Sequence, residues 1–246
     1  VQIGGPTAAF IPIVAAIAHE HGYQGLATAT LMAGVIVILM GVFRFGAMIK
    51  FIPYPVTTGF TAGIAVTIVA SQLKDFFGLT ILTPEGATVS IPPEFVPKLA
   101  LLLRQAHTIN WHATAVAAGS LAVLILLRRL LPRIPGAIVA VVLAAAAVKL
   151  FNLPVDTIGS RFGGIPSRLP APHMPSIDFA LIGELIPAAT TIAVLCAIES
   201  LLSAVVADGM TGHRHKSDQE LIGQGLANIG SVFFFGVPAT GAIART

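Results

Sequence analysis

The chain is poor in charged residues and in cysteine. Only 10% of its 246 residues are Asp, Glu, Lys or Arg, whereas about 25% is usual in soluble globular proteins. Hydrophobic residues make up 55% of the chain, and the mean hydropathy is +0.89. This composition excludes the soluble globular class and predicts an all-α, multi-pass integral membrane protein. Cys196 is the single cysteine, so no disulfide can form within the chain.

The sequence also lacks the patterns of an enzyme. It contains no nucleophile paired with a base, no phosphate-binding loop and no set of zinc ligands. His19, Glu20 and His21 lack the four-residue spacing of zinc ligands on a helix. The net charge of +3 comes from basic loops between apolar runs, which indicates anionic lipid headgroups and not nucleic acid as their partner. We expect no enzymatic activity, metal or cofactor.

Eight apolar segments follow one another along the chain, six of them near the length of about 17–25 residues that a transmembrane helix needs. Pro187 predicts the start of the membrane helix in the longest segment. The segments are 6–18, 26–43, 55–73, 111–127, 134–151, 179–206, 221–235 and a helix that begins at Pro238.

The loops between these segments differ in basic residues. Loops 44–50, 128–133 and 207–219 hold seven Lys or Arg in 26 residues, whereas loops 74–112 and 152–178 hold five in 66. Because cytoplasmic loops are the more basic ones, the first set is predicted to be cytoplasmic. The proline-rich outer loops are predicted to be extended connectors.

Two similar glycine- and proline-containing stretches, 4–10 and 236–242, each predict the start of a helix within the membrane. Proline suits the first helical position, and the first amides of a helix have no intrahelical acceptor. An odd number of crossings separates the stretches, so the two half-helices are predicted to enter from opposite faces, as in an inverted repeat. Each helix start carries about +0.5 charge, so two openings that face each other predict a site for one small anion.

The candidate anion ligands are residues of these two openings and Arg245. The threonine hydroxyls either contact the anion or cap free amides, and Phe10 either walls the pocket or packs in the bundle. The guanidinium of Arg245 either binds the anion or extends to the cytoplasmic surface. The candidates are Thr7, Ala8, Ala9 and Phe10 in the first opening, and Thr240, Gly241, Ala242 and Arg245 in the second.

Glu199 is the candidate for coupling anion binding to a second ion. It lies in the second half of an apolar segment, where a carboxylate costs about 2.5–3.5 kcal/mol on insertion scales. Ser203 follows one turn later on the same face. Glu199 either faces the substrate cavity and takes up a proton or cation, or bonds to a neighbouring helix. Glu184, ahead of Pro187, is expected at the solvated interface.

Taken together, these residues resemble the SulP family of anion transporters, the sulfate permeases. The resemblance covers nearly the whole chain. Its most specific parts are 199–212, 220–229 and 236–246, and supporting parts are 1–10, 44–63 and 158–166.

The resemblance implies a fold of seven plus seven inverted segments with discontinuous third and tenth segments. The chain is expected to be a fragment of one transmembrane domain, from the third segment to the start of the tenth. Core elements (about 1–43 and 179–246) would rise and fall against gate elements (about 55–151) in an elevator mechanism. The STAS domain typical of the family lies outside the fragment, and the full-length protein is expected to be a homodimer.

Glutamate at position 199 resembles the proton-coupled bacterial members that carry dicarboxylates such as fumarate or succinate, whereas aspartate there resembles sodium-coupled bicarbonate carriers. Burial favours the protonated form of a carboxyl group, which suits a proton more than sodium. We therefore expect proton-coupled dicarboxylate symport in a bacterial inner membrane. Sulfate or bicarbonate transport, a nucleobase–cation symporter of the same fold, and a non-transporting anion-responsive sensor or scaffold stay open.

Overall fold

The computed structural model of the chain describes residues 2–47, 54–81, 92, 95–164, 167–168, 170–177, 179–243 and 246. Nearly all of the secondary structure in this part is helical, which confirms the predicted fold class. Two strands of two residues each are the exception. The helices are α1 (Ile11–Val42), α2 (Tyr54–Phe76), α3 (Phe95–Arg104), α4 (Trp111–Leu130), α5 (Gly136–Leu150), α6 (Ile158–Phe162), α7 (Ile182–Thr211) and α8 (Ser217–Val232), and the strands are β1 (Gly4–Gly5) and β2 (Thr240–Gly241).

Within the described residues, three helical stretches are long and apolar enough to cross a bilayer. They are Ala8–Val42, Trp111–Leu130 and Phe179–Thr211. A helix rises about 1.5 Å per residue, so twenty residues already span a hydrocarbon core of about 30 Å. The apolar helix α5 is shorter, at 15 residues.

The described helices form two compact units. The first unit comprises Val1–Ile64 and Arg168–Thr246, and the second unit comprises Ala65–Ser167. The division into a transport core and a gate that the family resemblance implies stays a prediction.

In the first unit, α1 packs against both α7 and α8. Apolar side chains of α1 and α7, among them Val37 and Ile192, are fully buried in its core. The backbones of α1 and α8 approach closely where two glycines meet: a Cβ added to Gly225 would lie 2.6 Å from the carbonyl oxygen of Gly34. Small residues at such a crossing allow tight packing between membrane helices.

In the second unit, α4 packs against α5. Asn110 caps α4, because its side-chain oxygen accepts hydrogen bonds from the backbone N–H groups of His112 and Ala113. The guanidinium of Arg161 on α6 pairs with the carboxylate of Asp75 on α2 at 2.8 Å. The helices α3 and α6 lie in loops that were expected to be extended, so that expectation is wrong for those residues.

The helix that carries Glu199 begins earlier than predicted. After a 3-10 turn at Phe179–Leu181, α7 runs from Ile182 and contains Pro187 in its interior. A proline near the start of a helix removes few intrahelical hydrogen bonds, so the preceding residues can stay helical. The predicted break between segments 6–18 and 26–43 is a kink in α1 at Gly22, where φ is +64°.

Neither proline of the two openings occupies the first helical position. Pro6 follows β1, Thr7 is extended, and a 3-10 turn at Ala8–Phe10 leads into α1. Pro238 is followed by β2, and the helical hydrogen bond described after β2 joins the Thr246 N–H to the Ala242 carbonyl at 3.0 Å. Pro6 therefore follows an extended strand and Pro238 precedes one, and in both openings the helical turns start later than the sequence suggests.

Candidate functional site

The two openings meet in space through a short antiparallel pairing of β1 with β2. Gly4 lies opposite Gly241, and Gly5 lies opposite Thr240. The pairing continues on one side, where the Ala242 N–H donates to the Ile3 carbonyl at 2.8 Å. Because the strands are antiparallel, the chain passes through the two openings in opposite directions, as an inverted repeat requires.

The first opening presents helix-start amides beside a carboxylate. Ala8 and Ala9 begin the 3-10 turn, so their backbone N–H groups have no acceptor within the helix. The Thr7 side chain makes no capping hydrogen bond. Its hydroxyl donates instead to Oε2 of Glu199 at 2.8 Å.

Phe10 is not a free part of this opening. Its side chain is 2% exposed and belongs to the apolar core of the first unit. Its N–H donates to the Thr7 carbonyl at 3.2 Å. Of the two alternatives for Phe10, the structure shows packing in the core, and its role as a wall of an anion pocket stays a prediction.

Glu199 lies on α7 and is 5% exposed. One turn later, the hydroxyl of Ser203 lies 2.8 Å from the hydroxyl of Thr246. The Thr246 hydroxyl in turn accepts from the Ile3 N–H at 3.1 Å. One face of α7 thus contacts the first opening through Glu199 and the end of the second opening through Ser203.

The second opening is fixed by side chains of α7. The Thr240 hydroxyl lies 2.9 Å from the Ser200 hydroxyl and donates to the Cys196 carbonyl at 3.0 Å. The Gly241 N–H donates to the Ser200 hydroxyl at 3.1 Å. All of these groups are buried.

These bonds correct the prediction that the amides of Gly241 and Ala242 are free. Both N–H groups are already bonded, because β2 is an extended strand and not a first helical turn. The Thr240 hydroxyl is likewise used by α7 and neither caps a helix nor points to open space. Arg245 lies outside the described residues.

Asn228 on α8 holds the residue before β2. Its Oδ1 accepts from the Ala239 N–H at 2.8 Å and its Nδ2 donates to the Ala239 carbonyl at 2.8 Å. Gln224, one turn earlier, donates to the same carbonyl at 2.9 Å. Sequence reasoning did not assign Asn228, Gln224 and Ser200 to the site. Polar residues one turn apart in α8 are the signal that could have indicated them.

The half-buried amides of the first opening and the carboxylate beside them have the chemistry needed to recognise charge. Helix-start amides and dipoles attract an anion, whereas an ionised Glu199 repels one. Among the residues that the structure describes, no group of three or more His, Cys, Asp or Glu side chains could hold a metal ion.

Comparison with known proteins assigns this arrangement to one family. The sequence model of the Sulfate permease family matches residues 1–246. The chain is 42% identical to the "Putative sulfate transporter YvdB" of Bacillus subtilis over 246 residues, which is 100% of this chain and 45% of that protein. It is 32% identical to the "Bicarbonate transporter BicA" of Picosynechococcus sp., covering 96% of this chain and 42% of the relative. The chain thus spans less than half the length of these relatives.

Solved structures show the same fold. The transmembrane domain of a cyanobacterial bicarbonate transporter, BicA, superimposes with a TM-score of 0.80 at 27% identity, covering 99% of this chain and 62% of that one. The structure of SLC26A9 superimposes with a TM-score of 0.75 at 20% identity, covering 99% of this chain and 41% of that one. The second similarity concerns the fold alone.

Proposed function

The chain belongs to the sulfate permease family, and we propose that the full-length protein carries a small anion across the membrane. The chain itself is part of an integral membrane protein, and its similarity to a Bacillus subtilis protein supports a bacterial inner membrane. The observation that carries the proposal is the half-buried contact of 2.8 Å between the Thr7 hydroxyl and Glu199 at the start of a broken helix. It joins an anion-attracting group to a proton-binding group.

The electrostatic free energies of the proposed site favour coupling of the anion to a cation. Two like charges about 4 Å apart repel by about 4 kcal/mol at an effective dielectric constant of about 20. A helix start stabilises an anion by about 0.3–1 kcal/mol, and by up to about 2 kcal/mol when partly buried. The attraction of the first opening's amides for an anion is therefore smaller than the repulsion between that anion and an ionised Glu199. A proton on Glu199 removes the repulsion, so anion and proton bind together.

We assign the ligands of the proposed site from the described contacts and, for Arg245, from the sequence alone. Ala8 and Ala9 amides bind the anion, the Thr7 hydroxyl joins them when a protonated Glu199 donates to it and no longer accepts its proton, and Arg245 adds positive charge. Thr240, Gly241 and Ala242 give the second opening its shape and do not donate to the anion. Glu199, with Ser203 one turn later, carries the coupling proton.

The substrate we propose is a dicarboxylate of the fumarate or succinate type, because glutamate occupies position 199. Sulfate and bicarbonate are the competing substrates, since the similar proteins are described as a putative sulfate transporter and a bicarbonate transporter. The homodimer that the family resemblance implies stays a prediction.

Uptake by the full-length protein in proteoliposomes tests these assignments. Labelled succinate, fumarate, sulfate and bicarbonate are offered with an inward proton gradient, an inward sodium gradient or no gradient. We expect succinate or fumarate to accumulate with the proton gradient. Accumulation of sulfate or bicarbonate alone would replace the substrate, dependence on sodium would replace the coupling ion, and no uptake of any anion would overturn transport.

A further inference from the structure

The carboxamide of Asn228 satisfies both polar groups of one peptide residue. Its Oδ1 accepts from the Ala239 N–H and its Nδ2 donates to the Ala239 carbonyl, each at 2.8 Å. The Asn228 side chain is 1% exposed, so water does not compete for these bonds. Asn228 therefore bonds to Ala239 much as a neighbouring strand would, directly before β2 begins at Thr240.

Two further side chains donate hydrogen bonds to Ala239. The carbonyl of Ala239 also accepts from Nε2 of Gln224 at 2.9 Å and from the thiol of Cys196 at 3.4 Å. Nδ2 of Asn228 donates in addition to the Gln224 carbonyl at 2.9 Å and lies 3.5 Å from Sγ of Cys196. Side chains from α7 and α8 thus converge on the residue that precedes the second opening.

We propose that Asn228 is the positioning residue of the second opening. It fixes the peptide plane of Ala239 and thereby the direction in which Thr240, Gly241 and Ala242 run toward the helical turn that follows. The two-residue pairing of β1 with β2 is too short to set this direction alone. The inference rests on the proposed anion site, because the anion would sense Asn228 only through the geometry of that opening.

The chemistry of the contact requires a donor and an acceptor on one short side chain. Aspartate keeps the acceptor for the Ala239 N–H but turns a second oxygen toward the carbonyls of Ala239 and Gln224. These acceptors repel one another, so Asn228→Asp should rotate the Ala239 peptide. Protonation of the aspartate restores a donor, so the defect should shrink at low pH.

Anion uptake by full-length Asn228→Asp in proteoliposomes is the first test. We expect its KM for the anion to rise at least about tenfold, the size of one lost buried hydrogen bond, with the maximal rate and melting temperature near those of the wild type. The KM ratio of variant to wild type should fall toward one as the pH is lowered. A lower maximal rate and melting temperature with unchanged KM, or no change at all, would overturn the proposal.

Asn110→Asp is the matched control. Asn110 also uses both ends of its carboxamide, accepting from the amides of His112 and Ala113 and donating to the Pro154 carbonyl at 2.8 Å, but it does so in the second unit. Its replacement should leave the KM for the anion unchanged at every pH. An equal rise in KM in this control would show that loss of any such carboxamide raises KM.

Alkylation of Cys196 tests the same inference without transport. The thiol is 1% exposed and contacts both Asn228 and the Ala239 carbonyl, so release of Ala239 should expose it. The rate of modification by N-ethylmaleimide at Cys196, measured by mass spectrometry on the native full-length protein, should rise at least about tenfold in Asn228→Asp. An unchanged rate would overturn the positioning role. If the wild type carries no anion, the proposed function fails while this rate still decides the role of Asn228.

If Asn228→Asp does not fold, a milder variant tests whether this group of side chains positions Ala239. Gln224→Leu removes one donor to the Ala239 carbonyl and leaves Asn228 in place. A rise in both the KM and the Cys196 alkylation rate supports the positioning of Ala239 by this group. No rise in either quantity overturns it.

Discussion

At the scale of single residues, four polar side chains of α7 bond to the two openings or to Thr246 beyond them. Cys196 and Ser200 bond the second opening, Glu199 bonds the first, and Ser203 bonds Thr246 beyond β2. Each of these four α7 side chains is at most 5% exposed. A buried polar group costs free energy unless it is bonded, so this concentration of bonded groups marks where the helix has a specific task.

Glu199→Gln tests whether that task includes carrying a proton. Glutamine keeps an oxygen that can accept from Thr7 but cannot change its charge. We expect uptake driven by a proton gradient to fall at least about tenfold, since a loss of about 1.4 kcal/mol of coupling free energy already has this effect. Uptake in proteoliposomes at several pH values is the measurement.

Glu184→Gln is the control for this variant. Glu184 lies on the same helix, and its side chain is 64% exposed, 3.8 Å from the imidazole of His21. Its replacement should leave proton-driven uptake unchanged. Undiminished proton-driven uptake in Glu199→Gln would remove Glu199 from the mechanism.

Thr7→Val tests the contact that joins the first opening to α7. Valine has nearly the same shape but leaves Oε2 of Glu199 without its donor. We expect the free energy of unfolding to fall by about 1–3 kcal/mol, the cost of an unsatisfied buried group, as measured by denaturant unfolding in detergent micelles. Thr7→Ser keeps the hydroxyl and should lose less. Equal losses in both variants would mean that the methyl group, and not the hydroxyl, matters.

The sequence predicts some of these residues and not others, for a physical reason. An isolated carboxylate in an apolar run stands out because of its insertion cost, so Glu199 could be selected from the sequence. The direction in which a hydroxyl points cannot be predicted from the sequence, because it depends on which backbone packs beside the hydroxyl. Thr240 turns to Ser200 and Cys196, and only the packing of α7 against β2 determines this.

At the scale of elements, the length of an apolar run predicts that a helix is present, but it does not predict the residues at which the helix begins and ends. Segment 111–127 corresponds to α4 at Trp111–Leu130, within a few residues. The openings are different, because proline and glycine permit an extended strand as readily as a helix start. The pairing of β1 with β2 selects the strand, and this contact joins parts of the chain that are far apart in sequence.

Gly225→Ala tests the close approach of α1 and α8. The added Cβ would lie 2.6 Å from the Gly34 carbonyl oxygen, so the helices must separate. We expect a loss of about 1–3 kcal/mol in the free energy of unfolding from overpacking. Gly223→Ala on the same helix is the control: its Cβ would meet nothing within 4 Å, and a gain of up to about 1 kcal/mol is expected from helix propensity. Equal effects would show that the crossing tolerates a wider spacing.

At the scale of the whole molecule, both openings lie within the first unit, although nearly the full length of the chain separates them. They are joined directly by strand pairing and indirectly through α7, which bonds each of them. The proposed transport therefore predicts that the two openings move together and that the proposed anion site is not assembled and dismantled in each cycle. A mechanism in which the openings separate would have to break the β1–β2 pairing and the bonds to α7.

A reversible cross-link between the openings tests this inference. Gly5 and Thr240 are paired neighbours, and Cα atoms of antiparallel neighbours lie about 4.5–5.5 Å apart, within the range of a disulfide. Gly5→Cys and Thr240→Cys are combined in a Cys196→Ser background of the full-length protein, and uptake is measured before and after reduction. We expect equal uptake in the oxidised and reduced states, because the cross-link joins parts that move as one body. Each single cysteine variant controls for oxidation at other sites. Uptake that is blocked by oxidation and restored by reduction only in the double variant would show that the openings separate.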